Sequence, residues 1–211
     1  MLTQRFKSLL LIAFAILITT STMAQGAAEV WINKVTTQLQ NKGAEINFRI
    51  NEEGIRISGK LLMEGNHFHF DTDEMKIWYD GTTQWTLQNS NEYSELYISE
   101  PTLEDQQSIN PYLLLKNYKE SFTATDGGDK TIAGILLHEV TLTAKDDAQE
   151  LSALKVYIKS SGDLAALHLI FPDDRVYKID IRSMRSGLTF PQHTFTYIEK
   201  AYPANEVIDM R

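Results

Sequence analysis

The chain contains no cysteine, which excludes disulfides, thiolate metal sites, cysteine nucleophiles and any lipid attached through a cysteine. Basic residues are also in short supply. Lys and Arg number 20 against 28 Asp and Glu, a formal charge of -8, so the surface is not built to neutralise nucleic-acid phosphates and no nucleic-acid partner is expected. The longest apolar run, Leu9 to Ile18, falls well short of the roughly 20 residues that span a bilayer. Catalytic signatures are missing as well: no G-x-S-x-G occurs, and His138-Glu139 lacks the second histidine of a helical zinc-protease motif. No internal repeat or low-complexity segment interrupts the 211 residues, which is a length for one domain with a substantial core.

What is present begins with a leader. Arg5 and Lys7, the apolar run and the small-residue end Thr22-Met23-Ala24 make residues 1–24 a secretory signal peptide, cleaved after Ala24, with one domain over 25–211. Cleavage removes two positive charges and no negative one, leaving an acidic exported protein. Ala28, Trp31, Ile32, Val35 and Leu39 then recur at helical spacing, with Gly43 as the stop. From Glu45 the period changes to two. Ile46, Phe48 and Ile50 alternate with polar residues, and similar runs lie at Ile55 to Met63, Asn66 to Asp71, Met75 to Asp80, Thr83 to Asn89 and Glu92 to Ser99. Asn110-Pro111 followed by Tyr112-Leu113-Leu114-Leu115 reads as an N-cap, a proline at the first helical position and a single-turn apolar helix. Strands resume at Glu120 to Thr125, Thr131 to Thr143, Leu154 to Lys159, Ala165 to Phe171, Val176 to Arg182 and Thr194 to Ile198, with Asp126-Gly127-Gly128 among the turns. About eleven strands without interleaved helices predict a mainly β sandwich or barrel.

Two constellations invite a chemical reading. Gly54 to Lys60 spells G-x-x-x-x-G-K, but Leu61 stands where a Ser or Thr should hold magnesium, and the run lies inside a strand. Nucleotide binding is not expected, nor is any other cofactor. His67 and His69 share a strand face with Asp71 and Asp73, a row with the donors of a divalent-metal site. Phe68 and Phe70 take the opposite face, so the row reads as the solvated side of a half-buried strand, with no metal and no catalytic residue expected.

The order of the pieces resembles the periplasmic outer-membrane lipoprotein carrier family, LolA. The resemblance runs from the first helix through Ile77-Trp78-Tyr79-Asp80-Gly81-Thr82-Thr83-Gln84-Trp85, the Glu92-Tyr93 strand and Asn110-Pro111-Tyr112-Leu113-Leu114-Leu115 to the terminal Val207-Ile208-Asp209-Met210-Arg211. It implies an incomplete antiparallel β-barrel with an α-helical lid over an apolar concave face. It also implies a non-enzymatic, monomeric carrier that takes triacylated lipoproteins from an inner-membrane ABC release complex, shields their acyl chains across the periplasm and passes them to an outer-membrane acceptor. The apolar cavity is expected from Trp31, Val35, Phe48, Ile50, Phe68, Phe70, Trp78, Trp85, Leu113 and Leu114, and the lid from Asn110, Pro111 and Leu115. The family places an arginine after the third strand begins, to latch the lid; this chain has Glu64-Gly65-Asn66 there. A lipid- or lipoprotein-sensing module of the same architecture is the alternative, and an exported metal-dependent hydrolase using His67 and His69 a third reading.

Overall fold

The computed structural model describes residues 26–40, 43–52, 54–89 and 93–211. The leader expected over residues 1–24 lies outside them, as do Glu53 and the residues Ser90, Asn91 and Glu92. Residues 26–40 are helical (α1), and the three-and-four spacing of Ala28, Ile32, Val35 and Leu39 puts all four at no more than 1% exposure. At Gly43, expected to stop the helix, the first strand begins.

Six strands follow as a meander: β1 (Gly43–Glu52), β2 (Ile55–Glu64), β3 (His67–Thr72), β4 (Met75–Tyr79), β5 (Gln84–Asn89) and β6 (Ser94–Ser99). Two helices, α2 (Leu103–Ile109) and α3 (Pro111–Ser121), separate them from β7 (Phe122–Ile132), β8 (Ile135–Ala144), β9 (Ala153–Ile158), β10 (Leu164–Ile170) and β11 (Val176–Leu188). A 3-10 turn, Gln192–Phe195, precedes β12 (Glu206–Asp209). The twelve strands form one open sheet in the order β12-β6-β5-β4-β3-β2-β1-β11-β10-β9-β8-β7. Every pairing is antiparallel except β12 on β6. The sheet is curved and unclosed, an incomplete barrel, and α1, α2 and α3 cover its concave side.

Four local expectations are corrected. The single-turn helix at Asn110 to Leu115 is eleven residues long and preceded by α2, whose polar sequence LEDQQSI carries no apolar stripe. Asp126-Gly127-Gly128 is a bulge inside β7, with a register shift between Asp126 and Gly128. The run Thr131 to Thr143 is a hairpin, turned at Ala133 and Gly134, which both adopt positive φ as a tight primed turn requires. The terminal strand is not Thr194 to Ile198 but β12.

Alternation sends one side chain set inward from every strand, and register stacks them across the sheet: Ile46 opposite Leu61, Leu61 opposite Phe70, Phe70 opposite Ile77. Gly59 lies opposite Phe48, and a Cβ there would stand 2.5 Å from Cζ of the Phe48 ring. Its missing side chain makes room for that ring, which stacks on Phe70 with centroids 5.3 Å apart. The principal core joins α1 and α3 to this face.

Candidate functional site

Where the concave face is not filled by α1 or by α3, it leaves an apolar cavity of about 290 Å³. Phe48 and Ile50 on β1, Phe70 on β3 and Ile77 on β4 form one wall. Leu167 and Leu169 on β10 with Ile179 and Ile181 on β11 form the other. Register makes the two walls continuous, because Phe48 pairs with Ile181 and Ile50 with Ile179. Gln107, Ser108 and Ile109 of α2 and Pro111 and Leu114 of α3 line it from the helical side. A second, more polar chamber of about 520 Å³ lies alongside, between α2, the end of α3 and Phe171. Gln107, Ser108, Leu114 and Leu169 border both spaces, so the apolar chamber adjoins a polar one across a shared wall.

The two helices over the cavity are held very differently. In α3, Tyr112, Leu113, Leu115 and Tyr118 are buried, and burial of a large apolar side chain stabilises by roughly 1.5–3 kcal/mol each. In α2 no residue is buried, and Leu103 is 46% exposed. Apart from Ile109, which packs half-buried against the principal core, what holds α2 is local. Thr102 and Asp105 form a reciprocal capping box at its start, with the Asp105 N–H donating to Thr102 Oγ1 at 3.2 Å and the Thr102 N–H donating to Asp105 Oδ2 at 2.8 Å. At its end is Asn110, fully buried, which caps both helices. Its Oδ1 accepts from the Tyr112 and Leu113 N–H groups at 3.0 and 3.3 Å, and its amide donates to the Gly65 carbonyl in the β2–β3 turn at 3.2 Å. The α2–α3 corner is thus pinned to the sheet through one side chain.

Besides Asn110 at the helix corner, the residues singled out from sequence fall in four places. Phe48, Ile50, Phe70, Pro111 and Leu114 border the cavity. Val35, Phe68, Leu113 and Leu115 lie in the principal core beside it, all at 7% exposure or less. Trp31 packs on the rim of that core, stacked on His138 at 4.2 Å, while both ring nitrogens of His138 face carboxylates, Asp126 at 2.9 Å and Asp129 at 2.8 Å. Trp78 and Trp85 are on the other face of the sheet. They pair with one another across β4 and β5 and form a separate apolar cluster with Leu87 and Leu96, covered by Tyr197 and Tyr202. Opposite pleats explain the difference: Ile77 and Tyr79 point to the concave side, so Trp78 between them cannot. Sequence reasoning misses the contributions of α2, β10 and β11 to the lining, although the alternation in β10 marks Leu167 and Leu169.

The His/Asp row is corrected too. His69 is buried rather than solvated, its ring stacked on Trp78 at 4.8 Å with Nδ1 3.1 Å from the Ile77 carbonyl. Burial pushes its pKa below the ordinary imidazole value, against the opposing pull of the Ile77 carbonyl and Asp71. His67 instead places Nδ1 3.1 Å from the Glu64 carbonyl, and its ring faces Phe195. Among the described residues no group of three or more histidines and carboxylates is arranged to hold a metal ion, and no helix is long and apolar enough to cross a membrane.

No curated protein matches the sequence. The fold is similar to that of an uncharacterised conserved protein from Thermus thermophilus, at 9% identity over 87% of this chain and 99% of that one, with a TM-score of 0.60. LprF from Mycobacterium bovis (10% identity, 79% of this chain and 96% of that one, TM-score 0.46) is more distantly similar. So is a LolA superfamily protein from Nitrosomonas europaea (13%, 81% and 97%, TM-score 0.42). The family model for the outer membrane lipoprotein carrier protein LolA matches residues 19–160, from before α1 to the turn after β9. With more than half of its length matched to that model, and with an open half-barrel roofed by helices, the chain belongs to the LolA family.

Proposed function

We propose that the protein is a binding protein rather than an enzyme, and that it carries the acyl chains of triacylated lipoproteins through the periplasm. The observation that carries this reading is the cavity itself: aliphatic and aromatic walls from several strands, no charged side chain in the lining, and a helical cover. At about 0.8 kcal/mol per buried methylene, three acyl chains exposed to water cost tens of kcal/mol, so lipid crossing an aqueous space must travel covered. A carrier that kept all of that energy would not release its cargo. Here α2 lies over the apolar face without burying a residue, so part of the gain on binding is offset by displacing it. Loading at an inner-membrane ABC release complex, unloading at an outer-membrane acceptor and export through a cleaved leader complete the proposal; family membership supports them.

Site-specific photo-crosslinking tests it. A photoreactive residue replacing Phe48, Phe70 or Leu114 is expected to capture the acyl chains of a co-expressed lipoprotein, whereas one replacing Trp78 or Arg49 is not. Crosslinks confined to the convex positions would overturn the assignment of the cavity.

A further inference from the structure

The face of the sheet opposite the cavity carries charge in a pattern that packing does not require. Lys155 on β9, His168 on β10, Lys178 on β11, Asn51 on β1 and Arg56 on β2 are consecutive partners in register, one row across five neighbouring strands. The row points outward, because Leu154, Leu169, Tyr177 and Ile50, next to its members in the chain, line the cavity. Adjacent strands lie about 4.8 Å apart, so the cations at Lys155, Lys178 and Arg56 recur about every 10 Å. Like charges on neighbouring strands repel. His168 records this: after burial, Lys178 and Lys155 lower its pKa, against the pull of Asp180 and Glu139. In the next row Arg49 lies opposite Asp180, which accepts from Asn51 Nδ2 at 2.9 Å, and the buried Glu139 is 3.7 Å from Lys155. Arg49, Arg56, Lys155 and Lys178 thus outweigh Asp180 and Glu139 on one patch of a chain whose formal charge is -8. Arg56 and Lys178 are exposed and have no ion-pair partner among the described residues. On the other side of the basic row the same face turns aliphatic, with Ile170 opposite Val176, and Val176 is 38% exposed.

We infer that this outer face docks on an anionic bilayer surface, with the basic row against lipid phosphates and Val176 at the headgroup boundary. The strands β9, β10, β11, β1 and β2 are interior to the sheet, each paired on both sides, so no backbone edge is open there for a peptide to extend. Point charges spread over five strands suit a partner that offers an anion at every position, as a headgroup layer does. Aliphatic side chains flanking the cations belong to the same mode of binding. At 0.1 M salt the Debye length is about 10 Å, so the charges in contact act on the surface while carboxylates on the far side of the molecule are screened. The helices and the cavity lie on the opposite side of the sheet and stay clear of the bilayer. The inference concerns a different face and does not depend on the carrier reading.

Vesicle co-sedimentation at 0.1 M sodium chloride tests it, comparing phosphatidylcholine vesicles with vesicles containing phosphatidylglycerol of the same acyl chains. The unmodified protein is expected to bind the anionic vesicles at least tenfold more tightly than the neutral ones, and to leave them at 0.5 M salt. Each Lys or Arg at an anionic leaflet is worth about fivefold in binding. The double variant Arg56→Ser/Lys178→Ser is therefore expected to bind at least tenfold more weakly, and each single variant about fivefold, with circular dichroism confirming the fold; the single variants decide the matter if the double one does not fold. Lys159→Ser/Lys200→Ser removes the same net charge from exposed positions outside the row and is expected to change binding less than twofold. Equal affinity for both kinds of vesicle, or equal weakening by the two double variants, would overturn the inference. Binding to poly-glutamate but not to anionic vesicles would make the partner an acidic polypeptide and overturn the bilayer assignment. Either failure leaves the carrier reading standing, since crosslinking from Phe48, Phe70 or Leu114 reads the other face.

Discussion

His69 shows how one residue's surroundings translate into a property of the whole protein. Its imidazole is wedged between Trp78 and the Ile77 carbonyl, and burial lowers its pKa; His168, edge-on to Tyr157 at 4.8 Å, is lowered by burial and then by Lys178. A base that is harder to protonate folded than unfolded binds fewer protons in the native state, so stability falls with pH. The fall starts near the unfolded value, about 6.5, and continues until the folded value has been passed. Urea midpoints are therefore expected to drop between pH 7 and pH 5. A His69→Gln/His168→Gln variant is expected to show a flatter profile over that window, even if less stable throughout; parallel profiles would remove these two residues as the cause. His69 also marks a place where sequence and structure part. Alternation predicts one wet and one dry face per strand, but β4 ends Ile77-Trp78-Tyr79 with all three residues buried. With both faces dry, period two cannot say which is the cavity side. The cover over Trp78 comes from Tyr197 and Tyr202, more than a hundred residues further along, a contact that no local pattern announces.

At the scale of elements, legibility follows hydrophobic pattern. The meander and α1 are readable because each has one apolar face with a clean period. The helix α2 is not, because a helix with no buried residue has no period to read; its only trace is Thr102 followed three positions later by Asp105. The Asp126 to Gly128 bulge reads as a turn because glycine pairs serve both purposes. Within α3, three adjacent leucines look equivalent in sequence but are not: Leu115 is 1% exposed in the core, while Leu114 points between the two chambers. Leu114→Asp is expected to weaken binding of an apolar probe at least tenfold while costing only about 1 kcal/mol of fold stability. Leu115→Asp is expected to cost more than about 3 kcal/mol, since it buries an unpaired carboxylate. Comparing urea denaturation with probe titration for the two variants checks this, and a larger stability loss at position 114 than at 115 would contradict the division of α3 into a core side and a cavity side.

At the scale of the molecule, the family is recognisable from the order of its parts rather than from any single signature, and the family model accordingly matches a continuous stretch of residues 19–160. The resemblance implies the half-barrel and its roof, whereas the interior lining depends on pairings that sequence does not reveal. The most consequential is β1 with β11, which brings Glu45 to Arg185, 140 positions apart, in a hydrogen bond of 2.8 Å. The neighbouring hairpins close over a few residues each; this seam closes over most of the chain, and long closures are slow. Ile181→Ala is accordingly expected to slow refolding more than Leu87→Ala, which sits in a local hairpin and should act mainly on the unfolding rate. Stopped-flow refolding in urea measures both, and the reverse order would place the slow step elsewhere. The seam is also the line along which Phe48 meets Ile181 and Ile50 meets Ile179, the two walls of the cavity. Each half of the chain alone owns only one wall. A polypeptide still being synthesised therefore has nothing with which to enclose an apolar ligand, and competence to bind arrives in a single event, when the finished chain zips shut.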